Sequence, residues 1–345
     1  MNITQVAKRA KVSTATVSRT INGSNTVSPK TADKVWNVVR ALGYHPNRYA
    51  RALVSGRSQL LGLIISDIVN PFFPELVKCF EEMAVQKGLE VLVANTNYDP
   101  ERMSHCVHRM LERKVDGVGI MTSEMDEELV AELEKRLIPI VFLDTGKVRS
   151  RISNIRVDYG KGIRAAMAHL VQLQHQRIGF ISGPLTLRSA LTRRTAFLES
   201  FGQFGLLPDE TLIQVGDHKI DGGEAAMERL LALPKRPTAV LASNDLTAIG
   251  ALRAIYNAKL RIPEDISLIG FDDIYLSQFT QPALTTIRLS RTEVAENAFN
   301  ALTALINGKS RKGHEYHVET GLIIRSSTGL RGGSPHSASP LLPPQ

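Results

Sequence analysis

Val12-Ser13-Thr14-Ala15-Thr16-Val17-Ser18-Arg19 reads as the opening of a short helix with two unlike faces. Ser13 is placed to cap it, and the helix is expected to run from Thr14 to about Asn22. Val17 and Ile21, four residues apart, point toward a core. Thr14, Ala15, Ser18, Arg19 and Asn22 fall on one continuous polar face of small side chains and a cation. Gly23 should end the helix. Upstream, Thr4 is read as the cap of a first helix of about seven residues that buries Val6, Ala7 and Ala10, and Lys11-Val12 leaves only a short step between the two. Downstream, Ser28 as cap and Pro29 at the first helical position open a third helix. It should bury Ala32, Val35, Trp36, Val39 and Leu42 and stop at Gly43. Three short helices with a tight turn between the first two describe a helix-turn-helix, whose second helix enters the major groove N-terminal end first.

Charge points the same way. Residues 1–58 hold ten Lys and Arg against one acid, Asp33, a formal charge of +9 in a chain whose total is +8. The other residues therefore sum to −1. Positive charge confined to one small unit is the footprint of a module that neutralises phosphates. A three-helix bundle that binds protein is the plainer alternative, but it leaves the charge and the small polar face unexplained.

Ile3-Thr4-Gln5-Val6-Ala7, Val12 through Arg19, and Gly43-Tyr44-His45-Pro46-Asn47-Arg48 resemble the signature of the LacI/GalR repressor family. The similarity extends to about residue 330. It implies an N-terminal all-α helix-turn-helix domain (1–45), a hinge helix and linker (46–58), and a two-lobed α/β core of parallel sheets resembling periplasmic binding proteins (59–330). The implied lobes are about 59–157 plus 288–317, and 158–287 plus 318–330. The resemblance implies DNA contacts from Thr4, Ser13, Thr14, Ala15, Thr16, Ser18, Arg19 and Asn22, and from Asn47, Arg48, Ala50 and Leu53 in the hinge. Nine residues after Pro46 are too few to be helical alone in water, so the hinge should order only on DNA. Leu53 matches the family's leucine that wedges into a central C–G step from the minor groove; on sequence alone it could equally be a packing leucine.

From Leu60 onward, short apolar runs alternate with helical stretches: 60–65, 89–94, 117–121, 138–143, 178–181, 239–242 and 266–271 are candidate strands. That rhythm is the pattern of parallel βαβ units, and it divides near Asp158 into two similar halves. Ligands of such folds bind beyond the carboxyl ends of the strands. There, Phe72 and Phe73 either both pack in the core or, as the resemblance implies, one of them forms an apolar wall against the ligand, and Asn244 and Asp272, at two strand ends, match the family's contacts to ligand hydroxyls. The resemblance adds Arg193 as an effector-clamping arginine, with Arg194 one residue off as the alternative, and Met121 and His218 as pocket-lining positions. Asp245 and Asp273 have a structural reading, as acids that cap the turn after a strand. Ala196 stands where the family usually has glycine. Leu187 stands where purine-responsive relatives have an arginine, which favours a sugar or sugar derivative over a nucleobase.

Other chemistry finds little support. Gly160-Lys161-Gly162 lacks the spacing of a phosphate loop or a dinucleotide fingerprint. His105-Cys106-Val107-His108 does not converge on a helix, so Cys106 and Met110 should pack inward with the histidines solvated. No Gly-x-Ser-x-Gly elbow occurs. No enzyme activity, cofactor or metal is expected. No apolar run reaches the ~18 residues of a membrane span, and the start lacks a signal peptide's apolar core. Two cysteines fit a reducing compartment. Residues 331–345, rich in Gly, Ser and Pro, should form a disordered tail. The sequence therefore predicts a cytoplasmic, dimeric transcriptional regulator, a repressor of near-palindromic operator DNA controlled by a small sugar-like effector. A constitutive DNA-bending protein with no effector and a solute-binding protein are the alternatives.

Overall fold

A computed structural model describes residues 2–21, 25–44, 56–122, 125–308 and 311–332. The chain forms two compact units, Met1–Ser58 and Gln59–Gln345.

In the first unit, α1 (Ile3–Ala10), α2 (Thr14–Ile21) and α3 (Pro29–Leu42) pack around Val6, Ala7, Ala10, Val17, Val35 and Val39. The cap of α1 is Asn2, not Thr4. Asn2 Oδ1 accepts the Gln5 N–H at 3.1 Å while Gln5 Oε1 accepts that of Asn2 at 3.1 Å. This reciprocal box satisfies two N–H groups that a helix cannot pair internally, one more than Thr4 would have reached. Thr4 lies exposed within the helix. Lys11 turns the chain with φ 52°, and Ser13 Oγ accepts the Thr16 N–H at 3.1 Å, as the spacing predicts. Ser28 caps α3, Pro29 opens it and Gly43 closes it at φ 56°. Trp36 does not enter the core: it is 37% exposed, and Val38 packs in its place, with Ala32 and Leu42 half-buried. A 14-residue helix against two short ones needs only a narrow apolar stripe, which Val35 and Val39 supply. Gly23 and the hinge positions Asn47, Arg48, Ala50 and Leu53 lie outside the described residues, as does Asn22.

The second unit is built on β1 (Leu60–Ile65), β2 (Glu90–Asn95), β3 (Gly117–Met121), β4 (Ile140–Leu143), β5 (Ile152–Asp158), β6 (Ile178–Ser182), β7 (Ile213–Val215), β8 (Ala239–Ala242), β9 (Ser267–Asp272), β10 (Thr285–Leu289) and β11 (Glu315–Ile323). Their order is β2-β1-β3-β4-β5-β11-β10-β9-β8-β6-β7. All pairs are parallel except β10 with β11. β11 belongs to both halves: its 315–319 stretch pairs with β5 and its 320–323 stretch with β10. The first lobe therefore carries β1 to β5, and the second β6 to β10.

Four strands escaped the apolar-run reading: β5, β7, β10 and β11. Three of them carry polar or charged side chains within the run, Arg156 in β5, Arg288 in β10 and His317 and Glu319 in β11, each exposed to solvent. β7 is a three-residue edge strand. The strands expected at 89–94, 138–143 and 266–271 are shifted by one or two residues at their ends.

The helices that matter for the site are α4 (Phe72–Gln86), α7 (Tyr159–Gln172), α8 (Arg188–Gln203), α10 (Asp245–Asn257) and α11 (Arg291–Ile306), with α5 (Pro100–Glu112), α6 (Glu127–Lys135) and α9 (Ile220–Leu231) covering the remaining sheet faces. On α5, Cys106 and Met110 are buried and His105 and His108 exposed, as the pattern of that helix predicts. The backbone N–H of Arg331 bonds the Leu173 carbonyl at 3.0 Å, and the tail expectation from residue 333 onward lies outside the described residues.

Candidate functional site

On α2 the exposed residues are Thr14, Ala15 and Arg19, with Ser13 exposed just before them and Thr16 and Ser18 half-buried. Val17 is sealed at 0% exposure on the opposite side. Thr16 is partly spent on the helix start, sharing a 2.9 Å hydrogen bond with the Ser13 hydroxyl. Short side chains on an exposed helix let the backbone approach base edges closely, and Arg19 supplies the forked donor that suits guanine.

In the second unit, the carboxyl ends of β1, β3, β4 and β9 and the starts of α4, α7 and α8 line a cleft. All seven positions singled out in this core, Phe72, Phe73, Met121, Arg193, His218, Asn244 and Asp272, line it. Phe72 and Phe73 meet edge-to-face, with centroids 5.3 Å apart at 90°, so both form the apolar wall. Asn244 caps α10 through its Oδ1, which accepts the Thr247 N–H, and its Nδ2 donates to the His218 carbonyl at 2.9 Å. Arg193 donates to the Ser243 carbonyl at 2.5 Å and lies over the rings of Phe271, at 4.2 Å, and Tyr159, at 4.8 Å. Arg194 instead faces outward to Glu210.

Sequence reasoning missed Asp144, Tyr159 and Tyr98, which also line the cleft. Asp144 accepts the Val157 N–H at 2.8 Å. Burial is the largest influence on its carboxyl and raises its pKa, against the nearby Tyr159 hydroxyl and the Val157 N–H. Tyr98 approaches His218 from the opposite wall, ring centroids 6.4 Å apart. Tyr98, Asp144, His218 and Asp272 all have positive φ, 58°, 66°, 64° and 106°. Non-glycine residues are uncommon there and such strain gathers at binding sites; no property of the one-dimensional sequence marks it.

Burial dominates the electrostatics. It lifts the Asp272 carboxyl to about 6 although Arg193 and Arg291 pull it down. It lowers His218 to about 3, helped by the Arg193 charge, so that imidazole is neutral. Arg193 Nε, His218 Nε2 and Asp144 Oδ2 are buried without a hydrogen-bond partner. Buried polar atoms are normally paired, so a donor, an acceptor and an imidazole nitrogen left open around one cleft are suited to a hydroxyl-bearing ligand. Asp245 and Asp273 have other work. Asp245 accepts the Ile274 N–H and the Thr286 hydroxyl, and Asp273 holds Arg288 and Arg325 while also accepting the Ser277 hydroxyl of the turn that follows, at 3.5 Å. Leu187 is buried just before α8 and is absent from the cleft lining.

Residues 2–47 match the bacterial regulatory proteins of the lacI family, and residues 167–328 match the periplasmic binding protein-like domain. The chain is 35% identical over 327 residues to the HTH-type transcriptional repressor PurR of Escherichia coli O139:H28 (strain E24377A / ETEC), covering 94% of this chain and 96% of that protein. It belongs to the lacI family. This lacI-family member is a DNA-binding transcriptional regulator with a small-molecule-binding core, and its relatives are repressors, not enzymes. Its structure is similar to that of the Lac repressor dimer bound to operator and an anti-inducer, with a TM-score of 0.85 at 30% identity, covering 95% of this chain and 99% of that one. It is also similar to the complex of the transcriptional regulator CelR with cellobiose, with a TM-score of 0.71 at 28% identity, covering 95% and 99%. No helix among the described residues is long and apolar enough to cross a membrane.

Proposed function

We propose that this regulator is a homodimeric, cytoplasmic repressor that binds a near-palindromic operator and is controlled by a sugar or sugar derivative held in the cleft. The observation that carries the ligand class is the set of open polar atoms, Arg193 Nε, His218 Nε2 and Asp144 Oδ2, beside the Phe72–Phe73 wall. Hydroxyl groups both donate and accept, and a pyranose or furanose ring offers an apolar face to the phenyl rings. Cellobiose in CelR is consistent with this reading. Its relatives are repressors, and on this reading the protein acts by binding.

The lobes are taken as 59–157 plus 288–317, and 158–287 plus 318–330, after the helix-turn-helix at 1–45 and the hinge at 46–58. Ligand reorients the lobes, which changes the spacing of the paired hinges and their ability to fold on DNA. Thr14, Ala15 and Arg19 read base edges in each half-site, Arg48 faces phosphate, and Leu53 opens the central step. A gel-shift phasing assay tests the DNA half: wild type bends the operator and Leu53→Ala bends it less, while an unbent operator with wild type overturns it. Calorimetry against neutral sugars, sugar acids and sugar phosphates tests the ligand half; heat from none of them overturns the ligand class.

A further inference from the structure

Glu75 lies in the first turn of α4, on the first lobe. Its Oε2 pairs with Arg291 Nε at 2.7 Å, and its Oε1 accepts the backbone N–H of Tyr275 at 3.3 Å. Tyr275 belongs to the second lobe, three residues beyond Asp272. Arg291 is the first residue of α11, where the chain leaves the second lobe's β10 and crosses to pack on α4 and β3. Its Nη1 donates to the carbonyls of Asp272, at 2.7 Å, and Asp273, at 2.8 Å. One guanidinium thus ties a carboxylate of one lobe to the backbone that presents a cleft side chain in the other. Neither Glu75 nor Arg291 lines the cleft itself.

That backbone is under constraint. Asp272 and Asp273 are consecutive non-glycine residues with positive φ, 106° and 54°. Such a conformation persists only where its surroundings hold it. The Asp273 carboxylate is gripped by Arg288 of β10 and by Arg325 just after β11. The carbonyls on either side are gripped by Arg291. The backbone that aims Asp272 toward Arg193 is therefore held by Arg291, and Arg291 in turn by Glu75, so a shift of that backbone is felt at both.

We propose that the Glu75–Arg291 pair is a positioning strut: Arg291 sets Asp272 for the ligand, and Glu75 carries the state of Asp272 across to the start of α4. The proposal rests on the cleft being the effector site, but its test needs no effector. Coupling between two sites is reciprocal, so a change at either end must be felt at the other. The start of α4 is a suitable reporter, because its Phe72 N–H bonds Asn70 Oδ1 and its Phe73 N–H the Asn70 carbonyl.

Hydrogen exchange read by mass spectrometry on the full chain, without ligand, tests this. Glu75→Gln and Arg291→Met should each speed exchange in peptides covering 272–277 about tenfold, the loss expected for one charge-assisted hydrogen bond. Asp272→Asn should speed exchange at 72–76, on the other lobe. Arg291→Lys, which keeps the charge, should restore most of the protection. Peptides covering β6 and β8 should be unchanged in every variant, which shows the fold intact; if Arg291→Met fails to fold, Glu75→Gln carries the comparison. Unchanged exchange at 72–76 in Asp272→Asn overturns the strut and leaves a merely local tie. The effector reading stands or falls separately, on calorimetry with sugars.

Discussion

Arg193 Nη2 stands 3.7 Å from Asp272 Oδ1, with the two side chains only 9% and 6% exposed. The guanidinium is also covered by the rings of Phe271 and Tyr159, so little water screens the pair. A pair this buried is weak evidence for stability, since desolvation offsets its attraction, but losing one partner leaves an uncompensated charge. The proposed ligand clamp draws on this geometry: Asp272 offers acceptors and Arg193 keeps Nε open.

Arg193→Ala and Asp272→Asn should therefore uncouple the regulator from its effector while leaving operator affinity without ligand nearly intact. Loss of a charge-assisted hydrogen bond costs about 1.5–3 kcal/mol, one to two orders of magnitude in ligand affinity. If the ligand is an inducer both variants repress permanently, and if it is a corepressor both fail to repress. Calorimetry with a sugar that binds wild type checks this; equal affinity in both variants would mean the site lies elsewhere.

Ligand affinity should fall as pH drops through about 6. The Asp272 carboxyl is raised from 3.8 to about 6 in the folded protein, so between those values the folded chain holds a proton that the unfolded chain has released. Its contribution to stability is thus fully present below about pH 4 and lost as pH rises through 6. Binding runs the other way, because a ligand hydroxyl donates best to the ionised carboxylate. His218, at about 3, stays neutral throughout and does not contribute. Affinities measured from pH 5 to 8 should show the loss in wild type and a flat profile in Asp272→Asn.

Gly183→Ala should displace His218. A Cβ there would lie 1.9 Å from His218 Nε2, so the buried ring would have to shift. Overpacking of this kind costs about 1–3 kcal/mol. Thermal melts should show that loss, and Gly183→Ala with His218→Ala should recover part of it, a coupling that independent sites would not show. Additive losses would contradict the clash.

DNA binding should weaken steeply with salt. The +9 charge of residues 1–58 implies several phosphate contacts per protomer, each adding roughly 0.9 to the slope of log K against log salt. Arg19 substitution should relax sequence preference and cost about 1–3 kcal/mol. Affinity that stays flat between low and moderate salt would remove the assignment.

The three described helices of the basic unit were largely legible along the chain, because their signals are local. Caps, a 3.6-residue stripe and a run of cations are all set by neighbours in sequence. Two readings there failed on local detail: Asn2 caps the first helix in place of Thr4 through a two-way box with Gln5, and Trp36 stays 37% exposed while Val38 packs against the core. The strand-end residues Asn244 and Asp272 were legible as well, since parallel sheets direct ligands to that edge.

Composition, charge placement and apolar period by themselves determined a basic helix-turn-helix followed by a repeated βα core, and, through the resemblance, the family. Only the tertiary structure decided which of the acids serve the cleft. Asp272 and Asp273 are adjacent and chemically identical, yet one faces Arg193 and the other Arg288 and Arg325. Asp144 and Tyr159 join them from strand and helix ends that no motif marks. The reason is physical: a side chain's role follows from the backbone angle that aims it and from charges brought near by chain crossings, and both arise only when β10 and β11 pass between the lobes.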